Sequence, residues 1–204
     1  MEDENDPEKP TILKEARNFI DDGKYDKAIE IYKYLLIRFS ENSIVVERCN
    51  ASLGEIYLTQ KKPDLAEIHL KKAIKRNPKK HDYHYLLGFV YSGQERWRES
   101  ISEFETAIES DPQNAEILRG LGWAQLNAGD KIRGMKNLNK AKDLDPLNVN
   151  VLLDLANAHL FDMDFTEAKR YAKGAMLLEP ENALAKKVFV KICQLEKDFE
   201  KGKK

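Results

Sequence analysis

His81 and His84 stand three residues apart with Asp82 between them, a spacing that lets two imidazoles share one helix face and hold a metal ion. No third ligand accompanies them, and His84 falls at a packing position of the pattern described below, so no metal is expected. Lys71, Lys72, Lys75, Arg76, Lys79 and Lys80 form a basic stretch able to meet phosphate. Glu105 and Glu109 lie 34 residues beyond Lys71 and Lys75, so stacked helices could pair these charges, which disfavours nucleic acid. Cys49 and Cys193 are far apart in the chain and read as reduced, half-buried apolar residues, as in a cytoplasmic protein. No Gly-rich phosphate loop, Ser/His/Asp grouping or metalloprotease motif occurs, so neither a cofactor nor an enzymatic activity is expected.

What positions these residues is a period. Pro78, Pro112, Pro146 and Pro180 recur every 34 residues, each closing an apolar helical stretch. Ala73, Ala107, Ala141 and Ala175 keep the same interval, as do Leu53, Leu87, Leu121 and Leu155. Gly54, Gly88, Gly122 and Ala156 follow those leucines. Such a period implies stacked helical hairpins, each too small to bury its own apolar face. Function is then sought on an extended surface.

Across 204 residues, 34% are charged and the net charge is −1, so no global field favours nucleic acid or an anionic membrane. Met1 is followed by Glu2, Asp3 and Glu4, the reverse of a secretory leader, and no long apolar run predicts a membrane span.

With each proline set at position 32, Leu, Gly/Ala and an aromatic or polar residue fall at positions 7, 8 and 11. Small residues recur at 20 and 27, and Leu, Phe or Ala at 24. This resembles the tetratricopeptide repeat, whose pattern is W-x2-L-G-x2-Y, then A-x3-F, then P. The resemblance implies an all-α, right-handed superhelical solenoid of about five repeats with a C-terminal capping helix. The expected organisation is an acidic disordered tail at 1–10, a degenerate first repeat at 11–42, and four repeats within 43–180. Those four lie in register at 47–80, 81–114, 115–148 and 149–182. A capping helix at 183–199 and a disordered basic tail at 200–204 complete a set of eleven helices and no strands. Asn114, Asn148 and Asn182 are placed to cap helices. The chain departs from the pattern at position 4 (Asn50, His84, Leu118, Leu152), at position 11 (Gln125, His159), and at Gly134, where position 20 calls for Ala. These departures are expected to weaken individual packing columns.

On the first helix of each repeat, positions 2, 5, 9 and 13 lie opposite the packing face. The resemblance implies that this side lines a concave groove where peptides lie. It carries Tyr85 and Phe89, then Arg119, Trp123 and Asn127, then Leu153, Asn157 and Phe161. Earlier repeats give Leu13 and Arg17, then Arg48, Ala51, Glu55 and Thr59. Exposed aromatics rimmed by Arg and Asn are the usual footprint of a protein-binding site, although the same aromatics could pack on one another instead. The residue set by which relatives clamp a peptide carboxylate is matched in no frame. A non-catalytic adaptor binding a protein or peptide segment is therefore expected, with a homo-oligomer using the same groove as the alternative.

Overall fold

The computed structural model describes residues 9–202, which form eleven helices and no strand. The helices are α1 (Lys9–Asp21), α2 (Tyr25–Arg38), α3 (Ser43–Thr59), α4 (Pro63–Arg76), α5 (His81–Gly93) and α6 (Trp97–Ile108). They continue as α7 (Ala115–Asn127), α8 (Lys131–Leu144), α9 (Val149–Phe161), α10 (Phe165–Leu178) and α11 (Ala183–Gly202). None of them is long and apolar enough to cross a membrane. The tails expected at 1–10 and 200–204 need correction where they are described. Lys9 and Pro10 open α1, and Glu200, Lys201 and Gly202 continue α11. Residues 1–8, 203 and 204 lie outside the described residues.

The chain separates into two compact units, one ending at Glu109 and one beginning at Ser110. In the first, α1 pairs with α2, α3 with α4 and α5 with α6, while α2 meets α3, α4 meets α5, and α3 also touches α5. In the second, α7 pairs with α8 and α9 with α10. There α8 meets α9, α7 touches α9, and α11 packs on both α9 and α10. The first helices of successive hairpins thus touch at α3–α5 and at α7–α9.

Local sequence explains the boundaries. Asn114 accepts hydrogen bonds from the amides of Glu116 and Ile117 (both 3.1 Å), Asn148 from Val151 (3.2 Å) and Asn182 from Ala185 (2.9 Å). Each cap satisfies amides that the first helical turn leaves unpaired. Asp130 and Asp164 cap α8 and α10 in the same way. Between the helices of every hairpin, one residue adopts a left-handed backbone: Gly23, Lys61, Glu95, Gly129 and Met163. Glycine occupies this turn twice and accepts it without a Cβ penalty, whereas the other three bear that penalty.

The periodic residues form the core. Leu53, Ala66, Leu70 and Ala73 are buried in the second hairpin, with Leu87, Phe104 and Ala107 in the third. Leu138 and Ala141, then Leu155, Ala168, Ala172 and Ala175, do the same in the second unit. Gly134 corrects the expectation of a weakened column. A Cβ there would lie 2.6 Å from Leu126 Cγ and 2.8 Å from the Gly122 carbonyl oxygen, so the missing side chain lets α7 and α8 approach closely.

The polar departures are also compensated, because position 23 on the second helix of each hairpin supplies their partner. Asn50, 2% exposed, faces His69 Nδ1 across 2.9 Å. His84 Nδ1 faces Glu103 at 2.6 Å. Asn137 donates to Gln125 at 2.8 Å, and His159 stacks on Tyr171 with ring centroids 5.4 Å apart. A buried polar group with a partner avoids most of the desolvation cost that an unpaired one would incur.

Candidate functional site

Both histidines that suggested metal chemistry, and Lys71 and Lys80 of the basic stretch, are engaged within the protein. His81 Nδ1 lies 2.8 Å from the Thr106 carbonyl, while His84 contacts Glu103 and, through Nε2, the Pro78 carbonyl at 3.1 Å. No group of three or more potential metal ligands occurs among the described residues. Lys71 pairs with Glu67 of its own helix at 2.6 Å, not with Glu105 as the repeat spacing suggested. Glu67 also receives Arg96 at 2.8 Å, which fastens the α5–α6 turn to α4. Its carboxyl pKa is lowered: partial burial works against its charge, but the hydrogen bonds from Lys71 and Gln94 and the charges of Lys71 and Arg96 outweigh it. Cys49 is fully buried, and that burial pushes its thiol up to about 12, well away from nucleophilic use.

In the first unit, the residues opposite the packing face converge. Leu13 and Arg17 from α1, Arg48, Ala51 and Glu55 from α3, and Asp82 and Tyr85 from α5 line one pocket of about 570 Å³. Helical periodicity puts all of them on the side that hairpin packing does not use. Tyr32, 3% exposed, and Ser52 form part of its floor. Burial raises the Tyr32 hydroxyl pKa, with the Ser52 hydrogen bond and Arg17 opposing and Cys49 and Glu55 adding to it. Tyr83, which also lines the pocket, donates to Glu47 at 2.9 Å. Its pKa rises through burial first and then through the Glu47 hydrogen bond and charge. Tyr85 and Phe89 meet edge to face with centroids 4.9 Å apart, and Phe89 meets the fully buried Phe104 at 5.1 Å. Phe89 is therefore half core, whereas Tyr85 reaches the pocket.

In the second unit, the expected residues separate into two groups. Trp123 stacks with Phe161 at a centroid distance of 6.5 Å, and Phe161 is 59% exposed. Asn127 donates to the Trp123 carbonyl (2.8 Å) and Asn157 to the Leu153 carbonyl (3.0 Å). Leu153 is 3% exposed, so its side chain belongs to the core and leaves the partner-facing set. Arg119 is likewise occupied, reaching Glu116 and Asp154 at 3.0 Å each. Burial pushes the Asp154 carboxyl up to about 6. Arg119 pulls it down by charge and hydrogen bond, and Glu116 pushes it further up. Burial also opposes the Arg119 charge, but Asp154 and Glu116 more than offset it and keep its pKa raised.

Sequence reasoning thus selected Tyr85 but passed over Arg17, Arg48 and Glu55, which share its pocket. The signal was present in their positions. Attention to aromatic type drew it away from charge.

The family model for the tetratricopeptide repeat matches residues 13–81 and 85–148. A BBSome complex member BBS4 homolog of Drosophila melanogaster is 28% identical over 165 residues, spanning 79% of this chain and 33% of the relative. The chain therefore spans about a third of that relative's length. The crystal structure of a thermophilic TPR protein of Thermus thermophilus superposes with a TM-score of 0.71 at 15% identity, covering 91% of this chain and 98% of the other. YrrB, described as a TPR protein with an unusual peptide-binding site, gives 0.66 at 17% identity, covering 85% and 88%. At these identities the likeness to the solved structures is one of fold.

Proposed function

Because the chain belongs to the tetratricopeptide repeat family, we propose that it is a non-catalytic, cytoplasmic adaptor that binds an extended or helical segment of a partner protein on its first-helix faces. The observation that carries this reading is the pocket among α1, α3 and α5, built from positions that stacking leaves unused. Arg17, Arg48 and Ala51 occupy helix positions that hairpin packing does not use, and Tyr85 reaches the pocket from its packing on Phe104. Aromatic and Arg side chains carry much of the energy in protein interfaces. The second unit contributes a separate face, the Trp123–Phe161 stack with Asn127 and Asn157 beside it. The BBS4 homolog is named as a complex member, which supports an assembly role for this chain. The two free cysteines support a reducing compartment.

The test is partner co-purification from the native cell, comparing wild type with Ala51→Trp, Tyr85→Ala and Trp123→Ala. Ala51 is only partly buried and lines the pocket, so Trp at this position fills the pocket without entering the core. Truncating an interface aromatic costs on the order of 2–4 kcal/mol, about 30- to 1000-fold in affinity. The adaptor reading expects at least one variant to lose the partner while melting within a few degrees of wild type. Retention by all three with intact folds refutes it. Sedimentation at several concentrations addresses the homo-oligomer reading, and a concentration-independent monomer is the expected result.

A further inference from the structure

We propose that the pocket among α1, α3 and α5 selects an acidic polypeptide segment, with Arg17 and Arg48 pairing to its carboxylates. The proposal rests on the reading of this face as a partner-binding surface and adds the chemistry of the occupant.

The charges of the pocket are unevenly satisfied. Asp82 is held by Lys80 at 3.0 Å. Arg17, Arg48 and Glu55 are exposed, and their side chains form no ion pair or hydrogen bond among the described residues. Two cations and one anion therefore line the same space with no ion-pair partner among the described residues. The second unit shows what an internally satisfied arginine on this face looks like. There Arg119 is clasped by Glu116 and Asp154 at 3.0 Å each. Among the described residues, no carboxylate clasps Arg17 or Arg48 in that way. Guanidinium groups pair with carboxylates through two parallel hydrogen bonds, so two of them lining one pocket from different helices favour an occupant with two spaced carboxylates.

The rest of the lining suits a polypeptide. Leu13, Ala51 and Leu86 offer apolar wall for side-chain stems, and Tyr85 offers a ring. Glu55 can accept from a backbone amide or a basic side chain of the occupant. A nucleic acid backbone fits less well, because Glu55 and Asp82 would repel an unbroken row of phosphates. A peptide can space its acidic groups away from them.

The experiment is selection from a display library of random twelve-residue peptides on the full chain. Parallel selections use Arg17→Glu/Arg48→Glu, Glu55→Gln and Ala51→Trp. Wild type is expected to enrich Asp or Glu at two positions, and the double reversal to lose that bias or replace it with Lys and Arg. For the best acidic peptide, Kd should rise about tenfold with each single reversal and fall or stay level in Glu55→Gln. A single-stranded DNA oligonucleotide should compete weakly. Melting curves should superimpose, since both arginines are exposed. Peptides enriched without acidic bias but lost in Ala51→Trp would sink the acidic preference and leave the binding face standing. An acidic bias surviving the double reversal, or DNA competing as well as peptide, also overturns the proposal. If no peptide is enriched, both the preference and the pocket reading fall.

Discussion

Asp154 makes stability depend on pH in the mildly acidic range. Its carboxyl titrates at about 6 in the folded chain against an ordinary value of 3.8, because burial outweighs its pairing with Arg119. Between those values the folded state keeps a proton that the unfolded chain has released. By linkage, this group's stabilising contribution is complete below about pH 4 and is lost as pH rises through about 6. The loss is on the order of 1–3 kcal/mol. Asp154→Asn, which mimics the protonated form, should lose less stability than wild type when urea melts at pH 4 and pH 7 are compared. Equal losses would show that Asp154 ionises normally. The cysteines provide a second residue-scale check. Cys49 is fully buried with its thiol pushed to about 12, whereas Cys193 is partly exposed. A maleimide should label one thiol, Cys193, in the folded protein and both in urea.

Hairpins are the elements, and their recurring positions were largely legible in the sequence. The proline, alanine and leucine columns marked the helices, and the asparagine caps were read correctly because their chemistry is local. Compensation between helices was not legible, because it lies in pairs 12 to 19 residues apart whose chemistry changes from repeat to repeat. Gly134 read as a weakness until its contact with the Gly122 carbonyl was seen. Gly134→Ala pits a helix-propensity gain of about 1 kcal/mol against a backbone clash. The clash should win, lowering stability by roughly 1–3 kcal/mol in urea; a higher midpoint would mean that α7 and α8 are not so close. Gln125 and Asn137 allow a double-mutant cycle. Either single change to Leu strands a polar group and costs about 1–3 kcal/mol, while the double change should cost less than the two singles combined. In the hairpin turns, Glu95→Gly should stabilise by about 0.5–1 kcal/mol, since Glu95 holds a left-handed backbone (φ 58°).

At the scale of the whole molecule, repetition sets the architecture and leaves the partner to side chains that repetition does not constrain. Aromatic type pointed to Tyr85, Trp123 and Phe161. It overreached at Phe89, which is half core against Phe104, and apolar type overreached at Leu153, which is core. Position on the helix was the better guide, because it also gathers Arg17, Arg48 and Glu55 around one pocket. The central claim is that this first-helix face, and not the basic second-helix face around Lys72, meets the partner. A photo-crosslinking amino acid placed in living cells at position 51 or 85, and separately at 72 or 136, tests it most directly. The same partner adduct should form from 51 and 85 and be absent from 72 and 136. Adducts from 72 or 136 alone would contradict the account and move the binding surface to the second helices.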